Sequence, residues 1–438
     1  MKRATNILEI PNSFRADPLT KEQLAEFYED TIEVRTGTKV NSPIDDIYDS
    51  CIDPVHLDPN KKVRIRNAHL LLGHRGCGKS TELNHLDERL SEIGYHVKTI
   101  RCMDALDGAN MAFSDIMVLM TDALLNLAKE NDVTISHSDL LTLDRFGAEI
   151  KKEDVVLTET EIDIGSGASL ETPTLFQNLI KFFISLKATL KLNQSSRTTI
   201  RKKILLRNTE WLEAVNRLGD ALTEAFDGRQ PILCFEDLDK GNTWDIFSGH
   251  CEILTGTSFP VIYTFPIAFS YRPDFAEMKA FFHISRLPMI EVRTIDGLRN
   301  ERGIAAIRTI IDSRADNSLF DEGVIDHLIV KTGGSLRDLF SAINDAARYA
   351  RRLKMETIGM DVVEIALERI KSDLSAQLEG EDHTFLKTIY EGKHQFIEDR
   401  DRLLEMMKAG AVLEYNGKRW HDVHPLIVDY LREVGVIA

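Results

Sequence analysis

AHLLLGHRGCGKST, residues 68–81, is the stretch from which the rest of the chain is read. Its first five residues form a short, mostly apolar run, the pattern of a central parallel strand buried on both faces. Gly73, Gly76 and Gly78 then allow backbone conformations closed to other residues, and let amide groups approach anionic oxygens. The spacing G-x-x-x-x-G-K-[ST] is matched in full from Gly73 to Ser80, and Thr81 closes the run. In such a loop the backbone of Gly73, His74, Arg75, Gly76, Cys77 and Gly78 cradles a phosphate chain. Lys79 contacts its β- and γ-phosphates, and the Ser80 hydroxyl coordinates Mg²⁺. The helix expected next, STELNHLDERLSEIG, offers its positive N-terminal end to the same anion.

A phosphate loop predicts a second, acidic strand, and PILCFEDLDK (231–240) supplies it. Ile232 to Phe235 are apolar, and Glu236 and Asp237 follow at the C-terminal end, where ligands bind open α/β sheets. Glu236 is assigned to Mg²⁺ and Asp237 to the attacking water. An alternative register gives Asp237 the metal and leaves Asp239 to a polar neighbour. FPVIYTFPIAFSY (259–271) reads as another buried strand. Thr264 near its end is placed either to sense the γ-phosphate or simply to fill a strand position. In TGGSLRDLF (332–340) a Gly-Gly turn opens a helix whose first turn carries Arg337. That guanidinium either reaches back to the phosphates or forms a salt bridge. Arg286 and Arg272 are candidates for an arginine finger acting on a neighbouring copy, with surface salt bridges as the plain alternative. Cys77 reads as a small residue tolerated in the loop; a sharper reading gives it a reactive thiol beside the phosphates.

HVKTI (96–100) and LPMIEV (287–292) complete five strands separated by helices, an α/β fold with a doubly wound parallel sheet. The 438 residues divide into an N-terminal arm (1–60), a P-loop core (61–295, with an insertion at about 130–210), a helical lid (296–375) and a winged-helix-like domain (376–438). The last assignment rests on FLKTIY and DRDRLLEMMKAG as amphipathic helices, a hairpin turning at Asn416-Gly417, and HPLIVDYL as a closing helix. His421 and His424 have metal-like spacing but no supporting cluster, and read as core or surface histidines. No chemistry is expected of the arm.

Together, GHRGCGKST, ILCFEDLDK, the Thr264 strand and GGSLRDLF resemble the AAA+/STAND-like branch of P-loop ATPases, and most of all origin-recognition-like and KAP-like bacterial ATPases. The resemblance spans roughly residues 60 to 370. It implies ATP as ligand, adenine rather than guanine, Mg²⁺, hydrolysis, homo-oligomerisation and a helical lid; it also suggests a setting in bacterial defence or signalling. Glu236 departs from the family pattern, which has Asp there.

Bulk properties bear on the output. The formal net charge is −16, against the basic surface usual in proteins that live on DNA. One stretch reverses the sign: residues 173–209 lack Asp and Glu but hold Lys181, Lys187, Lys191, Arg197, Arg201, Lys202, Lys203 and Arg207. Phe176, Phe182 and Phe183 among them either stack on bases or fill a helical core. No apolar run reaches the roughly 18–20 residues of a membrane span, and the five cysteines show no CxxC spacing, so a cytoplasmic protein is expected. The leading expectation is an ATP-driven switch acting on an effector protein. The rival is a DNA-associated ATPase of loader or initiator type, using residues 181–207 and the winged helix.

Overall fold

A computed structural model of the chain describes residues 1–52, 67–106, 110–151, 165, 167–238, 243–393, 397–415 and 419–437. Its centre is a five-stranded parallel sheet of β1 (Ala68–Gly73), β2 (Val97–Arg101), β3 (Ile232–Glu236), β4 (Val261–Pro266) and β5 (His283–Leu287). The spatial order is β2-β3-β4-β1-β5, the order of P-loop ATPases. The mostly apolar β1 lies inside the sheet between β4 and β5 and is buried along its whole length. The last sheet strand is HISRL rather than the expected LPMIEV. Residues beyond Leu287 leave the sheet, and Met289 instead bridges to Tyr415.

Helix Lys79–Glu92 buries Leu83, Leu86 and Leu90 beneath the sheet. Between β2 and β3 the chain builds a helical layer from Phe113–Glu130, His137–Lys151, Thr172–Leu192, Gln194–Leu206 and Asn208–Ala225. The basic stretch lies within it, and its cations are mostly engaged inside the chain. Lys187 pairs with Asp122, Arg201 with Asp115, and Arg207 with Glu149 and Glu210, while Lys191 donates to the Asp104 carbonyl. Phe182 and Phe183 are fully buried, which removes them from stacking on bases.

Helices Glu301–Arg314, Val324–Lys331, Leu336–Arg352 and Met360–Ser375 share a second core, into which the arm inserts Ala4, Ile7, Ile10 and Phe14. The C-terminal segment runs helix Gly380–Gly392, helix Arg400–Lys408, then an antiparallel pair β6 (Val412–Tyr415) and β7 (Trp420–Val423), then helix Pro425–Glu433. This succession is consistent with a winged helix. The expected Asn416-Gly417 turn and Lys418 lie outside the described residues. Among the described residues no helix is long and apolar enough to cross a membrane, and no group of three or more His, Cys, Asp or Glu could hold a metal ion, His421 and His424 included.

Burial leaves a titratable signature. His69 on β1 stacks on His283 of β5, with ring centroids 5.0 Å apart, and neither of its ring nitrogens has a hydrogen-bond partner. Burial first, then the neighbouring His283, pushes its pKa down to about 3. His74 is likewise pushed to about 3 by burial and then Lys79, and His421 to about 4 by burial and then Arg419. The unfolded chain therefore takes up these protons first, near pH 6.5. The stability tied to the neutral rings is complete above that pH and declines toward pH 4, by about 1.4 kcal/mol per pH unit for each ring. We expect His69→Leu to raise the melting temperature more at pH 5 than at pH 8, as read by thermal unfolding across pH. An equal shift at both pH values would remove His69 from the acid response.

Candidate active site

Nine of the predicted site residues surround one cavity of about 470 Å³ at the C-terminal edge of the sheet. Gly76, Gly78, Lys79, Ser80 and Thr81 line it from the loop, Glu236 and Asp237 from the end of β3, Thr264 from β4 and Arg337 from the lid. Residues from Gly76 to Thr264 thus face the same space because parallel strands deliver their C-terminal ends to one side, and helix Leu336–Arg352 adds Arg337 to it.

The loop residues, alike in the motif, separate in three dimensions. Lys79 is 6% exposed and donates from Nζ to the carbonyls of Gly73 (3.2 Å) and His74 (2.9 Å). Cys77 is buried in the core beside Leu71 and Leu83, on the side away from solvent, which leaves no access for the reactive thiol of the sharper reading. His74 is buried too, and its Nε2 accepts the backbone N–H of Glu414 on β6 at 2.8 Å. Arg75 is exposed. Gly76 has φ +80, and a Cβ there would stand 2.6 Å from the Cβ of Arg337, so only glycine lets the lid come this close.

On β3, Glu236 is 2% exposed and 3.7 Å from the Nε of Arg101. Asp237 follows with φ +64, a left-handed conformation uncommon for any residue with a side chain and found preferentially at functional sites. Thr264 on the adjacent strand explains how that turn is held. Its hydroxyl donates to the Phe235 carbonyl (3.2 Å) and accepts the Leu238 N–H (3.3 Å), bracketing the two acids from both ends. Asp239, the alternative ligand, lies outside the described residues. A serine hydroxyl and two carboxylates around one cavity form the hard oxygen set that suits Mg²⁺.

Arg337 sits in the first turn of helix Leu336–Arg352, which is capped by Ser335. The turn before it needs glycine: Gly334 has φ +82, and a Cβ there would lie 2.0 Å from the Ile290 carbonyl. The two finger candidates sit elsewhere. Arg286 donates to Ser270 at 2.8 Å and lies 4.0 Å from Glu414, and burial pushes its pKa below the usual arginine range. Arg272 is bidentate on Asp274 and stacks over Trp244.

Sequence reasoning missed the arm's share of the site. Pro18, Leu19, Phe27, Tyr28 and Arg35 line the same cavity, together with Arg314 and Phe340. The Thr81 hydroxyl accepts the Leu19 N–H, and Tyr28 donates to the buried Glu82 at 3.0 Å. Burial raises the Glu82 pKa to about 7, although nearby Arg35 pulls it down. The one signal in the sequence was a tyrosine and an arginine seven residues apart, too common to single out.

Thr264→Val keeps the volume and removes both bracketing bonds. We expect it to leave nucleotide affinity within about threefold while slowing hydrolysis at least roughly tenfold, the scale set by losing buried hydrogen bonds worth about 1 kcal/mol each. Equal losses in binding and turnover would show that the hydroxyl does more than brace the acidic turn.

No family profile and no curated protein matches this sequence. Among solved structures, the chain is similar to Aeropyrum pernix ORC2 in its ADP form, at 9% identity over 98% of this chain and 99% of that one, with a TM-score of 0.45. It is also similar to Aeropyrum pernix ORC1 in complex with DNA, at 13% identity over 89% and 91%, TM-score 0.38. A third likeness is to the Thermotoga maritima RuvB Holliday junction branch migration motor, at 11% identity over 92% and 99%, TM-score 0.34. These likenesses extend over most of the chain and concern its architecture alone.

Proposed function

We propose that the chain binds and hydrolyses ATP and works as a nucleotide-driven, self-assembling conformational switch that passes its state to a partner protein. One observation carries the reading: the phosphate loop touches both of the parts that would move. Gly76 packs against Arg337 of the lid, and His74 accepts the Glu414 N–H from the C-terminal hairpin. The two parts also hold each other, through Tyr415 donating to the Gly333 carbonyl at 2.7 Å and His424 standing 3.5 Å from Asp338.

The chemistry follows from the cavity. Lys79 would meet the β- and γ-phosphates, and the same ammonium now bonded to the His74 carbonyl would be shared with them. Any exchange between these partners shifts His74, and with it the strand that His74 holds. Mg²⁺ held by Ser80 and Glu236 would neutralise charge developing on the phosphates. Asp237 would orient the attacking water, and Arg337 would add a cation from the lid. To reverse a 1:99 equilibrium between lid positions, the triphosphate must prefer one state by roughly 5.5 kcal/mol, within reach of several charge-assisted contacts. Adenine as the base rests on family resemblance.

The alternative is a DNA-associated ATPase of loader or initiator type. In this chain it would draw on Lys181 and Lys202, which are exposed on the helical layer.

We expect Lys79→Ala to abolish ATP binding, and Asp237→Asn to retain ATP while turnover falls about 10²-fold or more. In the wild type, ATP should change amide exchange in residues 412–415 and 420–423. Exchange there that ignores ATP would sink the switch. Turnover and assembly size measured with single- and double-stranded DNA across salt decide the output. Stimulation that falls steeply with salt and is lost in Lys181→Glu/Lys202→Glu would favour the DNA reading.

A further inference from the structure

The arm, from which no chemistry was expected, places a buried arginine directly against the phosphate loop. Arg35 is 1% exposed. Its Nη2 donates to the Cys77 carbonyl at 2.8 Å, its Nη1 to the Pro288 carbonyl at 2.6 Å and its Nε to the Thr31 hydroxyl at 2.7 Å. It comes within 3.7 Å of where a Cβ on Gly78 would stand, and it lines the same cavity as Gly78 and Lys79.

We propose that Arg35 is a positioning residue of the phosphate loop: by holding the Cys77 carbonyl it sets the Cys77–Gly78 peptide so that the Gly78 amide meets the phosphates. The inference rests on the ATP-binding reading above.

Planarity supplies the lever. In a trans peptide the carbonyl and the following N–H point to opposite sides, so a donor fixed on the oxygen also fixes the direction of the amide. Gly78, at φ +102, has no side chain to restrain that peptide by itself. Arg35 is restrained at both other ends, by Thr31 at the N-cap of its own short helix Ile32–Thr36 and by Pro288 on the segment leaving β5. The loop is therefore pinned between arm and sheet. A guanidinium stays charged even here, and a buried cation is costly unless its field is used. A polyanion in the adjoining cavity uses it, because fixed charge acts most strongly where water is excluded. Lysine could supply the charge but could not reach three oxygens in a plane.

The test uses the full chain and a fluorescent ATP analogue with Mg²⁺. Arg35→Met keeps the stem and removes the charge, and Thr31→Val leaves the guanidinium but frees its Nε. We expect Arg35→Met to weaken the analogue about 10- to 100-fold and Thr31→Val about threefold, with KM rising more than kcat falls. Nucleotide protection of the 73–81 amides should be lost in Arg35→Met, and Arg35→Lys should recover only part of the affinity. A folded Arg35→Met with wild-type affinity and loop protection would overturn the proposal. If Arg35→Met does not fold, Thr31→Val decides: unchanged affinity overturns, weakened affinity supports. A wild type that fails to bind the analogue overturns the ATP reading itself, and this inference with it, before any variant is compared.

Discussion

Three carbonyl oxygens of the phosphate loop are claimed by two buried cations, Lys79 on Gly73 and His74, and Arg35 on Cys77. Peptide oxygens held from the protein side leave peptide N–H groups to face the other way, which is the condition for an anion cradle. Much else in the structure serves this constraint. β1 is buried between two parallel neighbours, so the loop must emerge at the C-terminal edge of the sheet, beside the acids that end β3.

The same loop is also the meeting point of the molecule's separate parts. The arm reaches it through Arg35, the lid through Arg337 against Gly76, and the C-terminal hairpin through the Glu414 amide on His74. Arg35, His74 and Glu414 are buried, where a hydrogen bond left unmade is expensive, so the arm and the hairpin cannot shift independently of the loop. The helical layer between β2 and β3 follows a different rule. Lys187, Arg201 and Arg207 are committed to acids of neighbouring helices, which balances part of the basic stretch within the layer.

Much of the site was legible in the sequence because its motifs are local. The loop needs a strand before it and a helix after it, and both lie within residues 68–92. Glu236 and Asp237 stand out because charge ends an apolar run abruptly, and alternating apolar and polar segments led to the parallel sheet. β5 was placed four residues late because LPMIEV is the more apolar run, yet HISRL takes the sheet position beside β1. Hydrophobicity reports burial, and Met289 and Ile290 are buried under the hairpin and the lid rather than in the sheet.

The sequence alone determined that a phosphate loop, an acidic strand and a trailing set of helices exist, since each is specified by residues close together in the chain. Tertiary structure decided which side of each peptide and side chain faces the cavity. It turned His74 toward a strand 340 residues away and Cys77 into the core. It made Thr264 a brace for the acidic turn, withdrew Arg286 to Ser270 and Glu414, and brought Arg35 under the loop. Those outcomes depend on long-range packing and on the pairing of buried charges, and neither has a local pattern from which it can be read.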